Sequence, residues 1–512
     1  MSRNIFYITT PIYYVNGAPH LGHAYTSTAA DVLARFKRLD GFDVFFLTGT
    51  DEHGQKVEAA ARNAETDPQN FVDQVAADFA DMAQCMNISF DDFIRTTQPR
   101  HKAAAQALWR KLEEAGMIYL GAYEGYYAVR DEAFYDEAEL TKLPDGTLVA
   151  TASGAPVQKV SEPSYFFKLS AFQDKLLEFY EAHPEFIAPT AKRNEILSFV
   201  RGGLNDLSIS RTKFTWGVPV PGDEQHVMYV WLDALVNYLT AVGYPDATAP
   251  RAKYWPADLH LVGKEIIRFH AVYWPAFLMA AGLPLPKRVF SHGWWTVEGE
   301  KMSKSTGNFI DVRPLVANFG LDPVRFFLLR EVPFGNDGDF SRRALIARIN
   351  AELANGLGNL AQRTLSFIAK NADGVVPARG TLFEADHALL GAAEALPEKV
   401  RGAINRLAFH EALEEVWKVI RAADAYIDHQ APWTLKKTDT VRMRTVLYVL
   451  ACVLRTVAIL LQPFMPDSMG KLLDQLGVAP EARQIAALDA PLAEGTPLPA
   501  PAGLFPRIIE PA

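Results

Sequence analysis

Residues 4–54 alternate between strand and helix patterns, and this alternation restricts the fold more than any other feature of the chain. An apolar run, Ile5–Thr9, is followed by a glycine-bearing turn, by helical spacing over residues 24–38 and by a second apolar run at 43–48. Strand–helix–strand units form parallel sheets, whose ligands lie at the carboxyl ends of the strands. The sequence therefore predicts an α/β domain with a Rossmann-type parallel sheet and a binding site where these strands end.

The turn between the first strand and the helix reads Pro19-His20-Leu21-Gly22-His23. The first turn of a helix presents unpaired N–H groups and the positive end of the helix dipole, which together attract phosphate. Histidines three residues apart share one side of that turn, where they can donate hydrogen bonds to phosphoryl oxygens. On their own, two such histidines are more often ordinary loop residues or metal ligands. The preceding strand and the nearby Gly17 and Gly22 favour a phosphate site.

A second segment, Lys301-Met302-Ser303-Lys304-Ser305, carries two lysines three residues apart. Lysine is a mobile point charge that can follow a phosphate through a reaction, and Gly299 and Gly307 let the segment close over a ligand. A lysine-rich loop by itself is usually a solvated surface. In a chain that also carries the histidine turn, we expect both segments to hold one nucleoside triphosphate.

The pattern of the chain changes twice along its length. Residues 55–116 have mainly helical spacing, aromatic strand-like pieces begin near Tyr119, and strand patterns resume at residues 228–231 and Leu259–Gly263. Beyond about Ser341 helical periodicity dominates, which favours a helix bundle. The predicted segments are the first half of the parallel-sheet domain (1–116), an inserted connective module (117–222), the second half (223–298), the lysine loop with the region after it (299–344), the helical bundle (345–477) and a C-terminal extension (478–512).

The composition of the chain indicates in which cellular compartment the protein works. The two cysteines, Cys85 and Cys452, are too far apart for a disulfide framework or a cysteine-rich zinc site, and the N-terminus lacks a signal-peptide pattern. The most apolar stretch, residues 446–461, is interrupted by Arg455 and falls short of a membrane span. We expect a cytoplasmic protein with no membrane partner. The net charge of −9 argues against general nucleic-acid affinity but leaves room for a local basic strip.

The two loops together resemble the signature sequences of class I aminoacyl-tRNA synthetases, here in the forms PHLGH and KMSKS. Four further stretches narrow the resemblance to the methionyl-tRNA synthetases: GTDEHG at 49–54, YVWLDA at 229–234, GKEIIRFH at 263–270 and REVPFG at 330–335. These motifs occur in the family's order. The resemblance implies a Rossmann-type catalytic domain that is split by an inserted connective module and followed by an α-helical bundle that binds the anticodon.

The resemblance also assigns roles to single residues. Asp51 matches the residue that holds the α-ammonium group of methionine, although in isolation it reads equally well as a helix N-cap. Aromatic walls suit a polarizable thioether, and His270 adds a polar group near the sulfur. The methionine pocket maps onto Ile12, Tyr14, Trp231, Ala234, Leu235, Tyr238, Ile266, Phe269, His270 and Trp274. Without the resemblance, these aromatic positions would be interpreted as core.

The implied reaction has two steps and needs no protein nucleophile. The methionine carboxylate attacks the α-phosphate of ATP, which gives methionyl adenylate and pyrophosphate, and a terminal adenosine hydroxyl of tRNA(Met) then takes the methionine. Catalysis depends on positioning and positive charge. The implied catalytic residues are His20, His23, Lys301 and Lys304, and the implied ATP contacts are His20, His23, Gly263, Glu265 and Lys304. Mg²⁺ should accompany ATP and bridge its phosphates. Initiator and elongator tRNAs share the anticodon, so both are expected substrates.

The chain departs from many of its relatives in the inserted module, where the family often carries a CxxC zinc knuckle. Ala128 and Asp131 stand where the cysteines would be, and no cysteine lies between Cys85 and Cys452. We therefore expect an insertion that folds without zinc, through its aromatic residues and nearby polar pairs. At roughly a hundred residues, the insertion is shorter than the editing domains of related synthetases, so no editing domain is expected.

In the bundle, the family's anticodon-reading positions correspond to Asn359, Arg363 and Trp433. Unpaired bases are read by stacking on aromatic faces and by hydrogen bonds to their edges, and Trp433 would provide the stacking surface. On local sequence alone, Trp433 is better interpreted as a core residue after Pro432 and Arg363 as a surface charge.

Three alternatives remain open at this stage. A leucyl- or cysteinyl-tRNA synthetase would share both signatures but not Tyr14, Trp231 and His270. A small-molecule adenylyltransferase would share the histidine loop but needs no RNA-binding bundle. A regulatory relative with an inactive site is disfavoured by the intact His20, His23, Asp51 and Lys304. The chain ends soon after the bundle, without the family's optional dimerising module, so we expect a monomer.

Overall fold

The computed structural model describes residues 4–131, 133–302 and 308–509. The strand–helix–strand prediction for the first part is confirmed, and β3 continues to Asp51. The interval 55–116 is helical as predicted, apart from one short strand. The elements of this part are β1 (Ile5–Thr9), β2 (Tyr13–Tyr14), α1 (Leu21–Leu39), β3 (Asp43–Asp51), α2 (Gln55–Asn63), α3 (Pro68–Cys85), β4 (Asp92–Arg95) and α4 (Pro99–Glu114).

The next part is rich in strands. Its longest strands, β5 and β9, are antiparallel neighbours. Their pairing runs from Ile118 opposite Phe167 to Tyr127 opposite Gln158. The elements are β5 (Ile118–Ala128), β6 (Ala133–Tyr135), β7 (Leu140–Lys142), β8 (Leu148–Ala150), β9 (Gln158–Phe167), α5 (Gln173–Ala182), β10 (Ile187–Ala188), α6 (Thr190–Arg201), β11 (Leu207–Ser208), β12 (Ser210–Arg211), β13 (Pro219–Val220) and β14 (Asp223–Met228).

The chain then returns to alternating strands and helices. These are α7 (Val230–Leu235), α8 (Asn237–Thr240), β15 (Leu259–Gly263), a π-helical turn (Phe269–Tyr273), α9 (Trp274–Ala280), β16 (Val289–His292), β17 (Trp295–Val297), β18 (Glu300–Lys301), α10 (Val312–Phe319), α11 (Leu321–Arg330) and β19 (Gly338–Phe340). The predicted strand over residues 228–231 is wrong. β14 ends at Met228, and Tyr229 in extended backbone caps the start of α7. A four-residue apolar run does not distinguish a buried strand from a buried helix.

The last third is helical, as predicted. It contains α12 (Arg342–Arg348), a π-helical stretch (Ile349–Gly358), α13 (Asn359–Asn371), α14 (Glu384–Glu394), α15 (Leu396–Asn405), α16 (Phe409–Gln430), α17 (Pro432–Thr438), α18 (Thr440–Leu461) and α19 (Pro466–Gln475). Among the described helices, α18 is long and apolar enough to cross a membrane, but 83% of its apolar window is buried inside the molecule. Its burial makes it a central helix of the bundle, although by length and composition it does not fall short of a membrane span, contrary to the expectation for residues 446–461.

A parallel sheet of seven strands forms the centre of the part that precedes the helical bundle, which we call the catalytic part after the role that the resemblance implies. The strand order is β10-β16-β15-β1-β3-β2, and β4 also pairs with β3. Side chains of β3 alternate between two cores: Val44 and Phe46 pack with residues of α1 and α3, whereas Phe45 and Leu47 pack with residues of α4. Burial on both faces is the usual state of a parallel sheet. β10 lies within the range predicted for the insertion, yet it forms an edge of this sheet.

Polar and aromatic contacts surround the stretch from Tyr127 to Asp131 in the strand-rich part of the chain. The Arg211 guanidinium lies 4.1 Å from the ring centre of Tyr127 and donates to Glu162 at 2.5 Å, and both members of this ion pair are buried. Asp131 accepts hydrogen bonds from Tyr135 at 2.9 Å and from Ser153. The position of one missing cysteine is therefore occupied by a carboxylate with two hydroxyl partners.

A buried arginine connects the catalytic part to the bundle. Arg325, on α11, is fully buried and donates to the Asp31 carboxylate of α1 at 2.6 Å. It also donates to the carbonyl oxygens of Met86 (2.8 Å), Pro463 (2.8 Å) and Phe464 (3.1 Å). Helix α1, the segment after α3 and the segment after α18 are thus held by one guanidinium group.

The same Asp31 carboxylate accepts a hydrogen bond from the partly exposed Arg35 at 2.7 Å. Burial acts to raise the pKa of Asp31, but Arg325, Arg35 and the hydrogen bonds from Ser89 outweigh burial and hold this pKa below its ordinary value. Asp31 is therefore ionised, and each arginine faces a full negative charge.

Candidate active site

The carboxyl ends of the parallel strands bring several predicted residues to one edge of the sheet. Asp51 ends β3, Gly263 ends β15 and His292 ends β16, while the histidine turn follows β1 and β2. Ligands of open α/β sheets bind at this edge. The strand order thus places the predicted ammonium partner Asp51 and the predicted ATP contact Gly263 at the same edge of the sheet, the edge from which the histidine turn also follows.

The two histidines of the turn form a reciprocal cap at the start of α1. His20 is the N-cap residue, and its Nδ1 accepts from the backbone N–H of Gly22 at 3.0 Å. Nδ1 of His23 accepts from the backbone N–H of His20 at 3.1 Å, and the ring centres are 3.9 Å apart. A neutral imidazole that accepts at Nδ1 carries its proton on Nε2. Each ring therefore has an N–H group on the edge opposite the helix terminus.

The charge of His23 follows from its surroundings. Burial, together with the neighbouring His20, lowers the pKa of His23 well below its ordinary value. The imidazole is therefore neutral at physiological pH. A neutral donor of fixed tautomer can hydrogen-bond a phosphoryl oxygen without a proton being exchanged first.

The residues that follow the lysine segment lie against this turn. Ser303, Lys304 and Ser305 lie outside the described residues, and of Lys301 only the backbone, in β18, is described. The residues that follow contact the start of α1: Phe309 lies edge-on to His20 at 5.6 Å between ring centres, and Ile310 O accepts from the N–H of Leu21 at 2.9 Å. The chain thus returns from the lysine segment directly onto the histidine turn.

A cluster of predicted methionine-pocket residues forms between α7 and the π-helical turn. The rings of Trp231 and Phe269 stack at 3.7 Å. Nδ1 of His270 donates to Ile266 O at 2.9 Å, so Nε2 accepts from the Tyr238 hydroxyl at 2.6 Å. Burial lowers the pKa of His270 to about 4, which leaves the ring neutral. The pocket therefore offers aromatic faces and a neutral histidine, a surface suited to a thioether.

The other pocket positions divide into two groups by exposure. Half-buried side chains are those that can contact a ligand from the open side: Ile12, Tyr14, Trp231, Ile266 and Phe269. Buried side chains form the floor: Ala234, Leu235, Tyr238, His270 and Trp274. The predicted set thus contains both half-buried and buried side chains, and most of them pack in or against one hydrophobic core, with Tyr14 also packed against the second core.

The predicted ATP contacts Gly263 and Glu265 touch each other. A Cβ at residue 263 would lie 2.5 Å from a carboxylate oxygen of Glu265, so only glycine fits there without moving that side chain. The same carboxylate accepts from Nε1 of Trp294 at 2.6 Å, and Lys264 lies 4.3 Å from the ring centre of Trp294 while pairing with Asp337. Sequence reasoning missed Trp294 and Asp337, although Trp294 stands in the stretch between β16 and the lysine segment.

The predicted anticodon residues lie on the bundle. Asn359 begins α13 and is exposed. The guanidinium of Arg363, one turn later, lies 5.6 Å from the ring centre of Trp433 on α17, and it pairs with Asp428. The side chain of Trp433 is 42% exposed. The alternative interpretation of Trp433 as a core residue is therefore wrong.

Comparison with known proteins finds family matches and relatives along nearly the whole chain. Residues 6–146 and 147–365 match the family described as class I tRNA synthetases (M), and residues 376–512 match the anticodon-binding domain of methionyl-tRNA ligase. The chain is 57% identical to a methionine–tRNA ligase of Brucella suis (100% of this chain, 99% of the relative). It is 56% identical to one of Rickettsia felis, with 99% of both chains covered.

Solved structures agree with these relatives. A Mycobacterium tuberculosis methionyl-tRNA synthetase in complex with methionyl-adenylate has a TM-score of 0.97 at 54% identity, with 98% of this chain and 100% of that chain covered. The free form of the enzyme from that organism has a TM-score of 0.89 at 51% identity, with 100% and 99% covered. The present conformation is thus more similar to the adenylate complex. With both family matches and full-length relatives, the chain belongs to the methionyl-tRNA synthetases, the class I enzymes that join L-methionine to tRNA(Met).

Proposed function

We propose that the reciprocal histidine cap carries the activation step. When the methionine carboxylate attacks the α-phosphate of ATP, negative charge grows on the phosphoryl oxygens and on the leaving pyrophosphate. The Nε2–H groups of His20 and His23 donate to these oxygens, and Lys301 and Lys304 contribute positive charge from the second loop. Donors held in place before the reaction stabilise such a transition state without reorganisation. The supporting observation is the pair of Nδ1 acceptor bonds that fixes both tautomers.

Methionine binds, in this proposal, with its ammonium group against Asp51 and its side chain in the pocket between α7 and the π-helical turn. Ile12, Tyr14, Trp231, Ile266 and Phe269 contact the ligand, while Ala234, Leu235, Tyr238, His270 and Trp274 shape the floor. Both nitrogens of His270 are engaged with Ile266 and Tyr238. The polar atoms next to the thioether are therefore fixed in direction, which disfavours side chains that bring their own hydrogen-bonding groups.

The nucleotide binds beside Gly263 and Glu265. A carboxylate suits the hydroxyl groups of a ribose, and the missing side chain at Gly263 leaves the backbone accessible. Mg²⁺ would enter with ATP as part of the substrate and would offset part of the negative charge of the phosphates. We keep the six predicted segments as the domain organisation, with β10 as the contribution of segment 117–222 to the catalytic sheet.

Amino-acid-dependent exchange between ATP and pyrophosphate tests this function. We expect exchange with methionine and none with leucine, cysteine or isoleucine at equal concentration. Transfer of methionine to both initiator and elongator tRNA(Met) should follow in the same preparation. Exchange driven by another amino acid, or none in an intact preparation, would contradict the proposal. Sedimentation at assay concentration should give a monomer, and fractionated cells should show the enzyme in the cytoplasm.

The bundle reads the anticodon in this proposal, with Trp433 as the stacking surface and with Arg363 and Asn359 as hydrogen-bond donors. Replacing Trp433 with Ala should reduce tRNA charging roughly 5- to 150-fold, because stacking on an aromatic face contributes about 1–3 kcal/mol per base. Pyrophosphate exchange should stay at the wild-type level. Phe383→Ala is the matched control, since Phe383 is an exposed aromatic side chain of the same bundle outside α17. Equal loss of charging and exchange in Trp433→Ala would show a structural role.

We also propose that the inserted module holds no zinc. Incubation with a chelator should leave both the melting temperature and the exchange rate unchanged, and metal analysis should find zinc well below one equivalent. Asp131→Ala should instead destabilise the module by about 1 kcal/mol for each lost hydrogen bond. Stoichiometric zinc, or a chelator-dependent fall in melting temperature, would disprove this proposal.

A further inference from the structure

A buried carboxylate lies between two histidines next to the proposed methionine site. Asp233, His53 and His101 are each at most 2% exposed. Nδ1 of His53 lies 2.6 Å from one oxygen of Asp233, and Nε2 of His101 lies 2.7 Å from the other oxygen. Nδ1 of His101 is within 3.2 Å of the Thr240 hydroxyl. Both oxygens of the carboxylate are thus satisfied by imidazole donors.

Asp233 is ionised in this arrangement. Burial acts to raise its pKa, but the two histidines outweigh burial and leave the pKa well below its ordinary value. A carboxylate accepts only, so His53 must donate from Nδ1 and His101 from Nε2. The contacts therefore fix which nitrogen of each ring carries a proton, and they fix both ring orientations.

The group joins two parts of the proposed methionine site. Asp233 lies on α7 between Trp231 and Ala234, so its anchoring sets where that helix presents the pocket side chains. His53 lies two residues after Asp51. Asp51 is the last residue of β3, so the bond between His53 and Asp233 fixes the chain two residues beyond the end of that strand. The side chains of Thr50 and Glu52, on either side of Asp51, hydrogen-bond to each other at 2.6 Å.

We propose that the His53–Asp233–His101 group is a positioning device for methionine: it holds α7 in register with the segment that carries Asp51. This inference rests on the proposed roles of Asp51 and of the α7 side chains. Hydrogen bonds to a charged, buried acceptor are strong and directional. An apolar contact of equal size would hold the elements together but would allow α7 to rotate. The three residues act through other residues and touch neither substrate.

Amide side chains test the direction of each bond. Asn places an N–H near the position of the imidazole Nδ1, whereas Gln places one near Nε2. At residue 53, Gln misplaces the donor, and His53→Gln should raise KM for methionine about tenfold or more. His53→Asn keeps the donor and should raise it much less. At residue 101 the order reverses, so His101→Asn should be the impaired variant and His101→Gln the mild one. KM for ATP should change little in all four.

Two control variants are needed. The first distinguishes an effect on positioning from a general loss of stability, and the second tests whether the methionine site has been assigned correctly. Asp386→Asn disturbs another buried carboxylate, which is paired with Arg442 in the bundle; it should lower the melting temperature without raising KM for methionine. Asp51→Asn should raise that KM strongly. If Asp51→Asn has no effect, the proposed methionine site fails, and this inference fails with it. If Asp51→Asn acts as expected but Asn and Gln at residue 53 raise KM equally, only the positioning role is overturned.

Discussion

Replacing His23 with Asn is expected to slow methionyl-adenylate formation by about 10²–10³-fold while the protein stays folded. The amide oxygen of Asn can still accept from the backbone N–H of His20, so the cap of α1 survives. The Nε2–H donor is lost, and a single preorganised donor to a developing oxyanion has an effect of this size. The measurement is single-turnover formation of the adenylate at saturating methionine and ATP, together with KM for both substrates.

Gln at the same position is the matched variant. Its amide N–H lies near the former Nε2–H, whereas its reach to the backbone N–H of His20 is lost. We therefore expect His23→Gln to keep much more of the rate than His23→Asn and to have the lower melting temperature. The opposite ranking in rate would show that His23 serves the helix cap and not the phosphates.

Arg325→Leu is expected to destabilise the protein by about 3–5 kcal/mol, the usual consequence of removing one partner of a buried ion pair. The substitution leaves Arg35 as the only arginine that contacts Asp31 among the described residues. It also removes the hydrogen-bond donor of the carbonyl oxygens of Met86, Pro463 and Phe464. Because these groups lie on different parts of the fold, loosening should appear between the catalytic part and the bundle. Thermal unfolding and limited proteolysis near the end of α18 would measure it.

Arg35→Leu provides the comparison, since it removes the other arginine from the same carboxylate. The Arg35 side chain is 23% exposed and donates to one further carbonyl oxygen, that of Asn87, at 2.7 Å, whereas Arg325 is fully buried and donates to three carbonyl oxygens. Because water partly solvates Arg35, Arg325→Leu should lose more stability than Arg35→Leu. Equal losses of stability in the two variants would mean that the stabilisation comes from the Asp31 ion pairs and that the three carbonyl contacts of Arg325 add nothing to it.

Local signals in the sequence were sufficient for the first strand–helix–strand unit and for the helical last third. In both regions hydrophobic periodicity is long and agrees with the turn residues. The strand β4 was missed within a helical interval, and α7 was predicted as a strand, because four-residue segments carry too little periodicity. The edge strand β10 could not be found either. Its two residues form a strand only because they lie beside β16, about a hundred positions further along the chain.

The candidate site was also predictable only in part, because local sequence shows its motifs but not its distant contacts. The residues in motifs could be named, and the structure brings His20 against His23, Trp231 against Phe269 and Tyr238 against His270. Their tautomers could not be predicted, because each depends on which backbone group faces the ring. The hydrogen-bond partners of Asp233 could not be predicted from the sequence either. His53 and His101 are 180 and 132 positions away from it, and no local pattern connects them.

The pairing of β1 with β15 has a consequence for how this enzyme is made in the cell. These neighbours in the sheet are 251 positions apart at Thr9 and His260. A ribosome that adds 5–20 residues per second needs roughly 13–50 s to synthesise the intervening chain. During that interval β3 can pair with one edge of β1, but the backbone N–H and C=O groups of the other edge have no strand partner. The strands β5 and β9, in contrast, can already pair within the insertion. The nascent chain thus exposes an aggregation-prone edge, and we expect chaperone occupancy to peak before β15 leaves the exit tunnel.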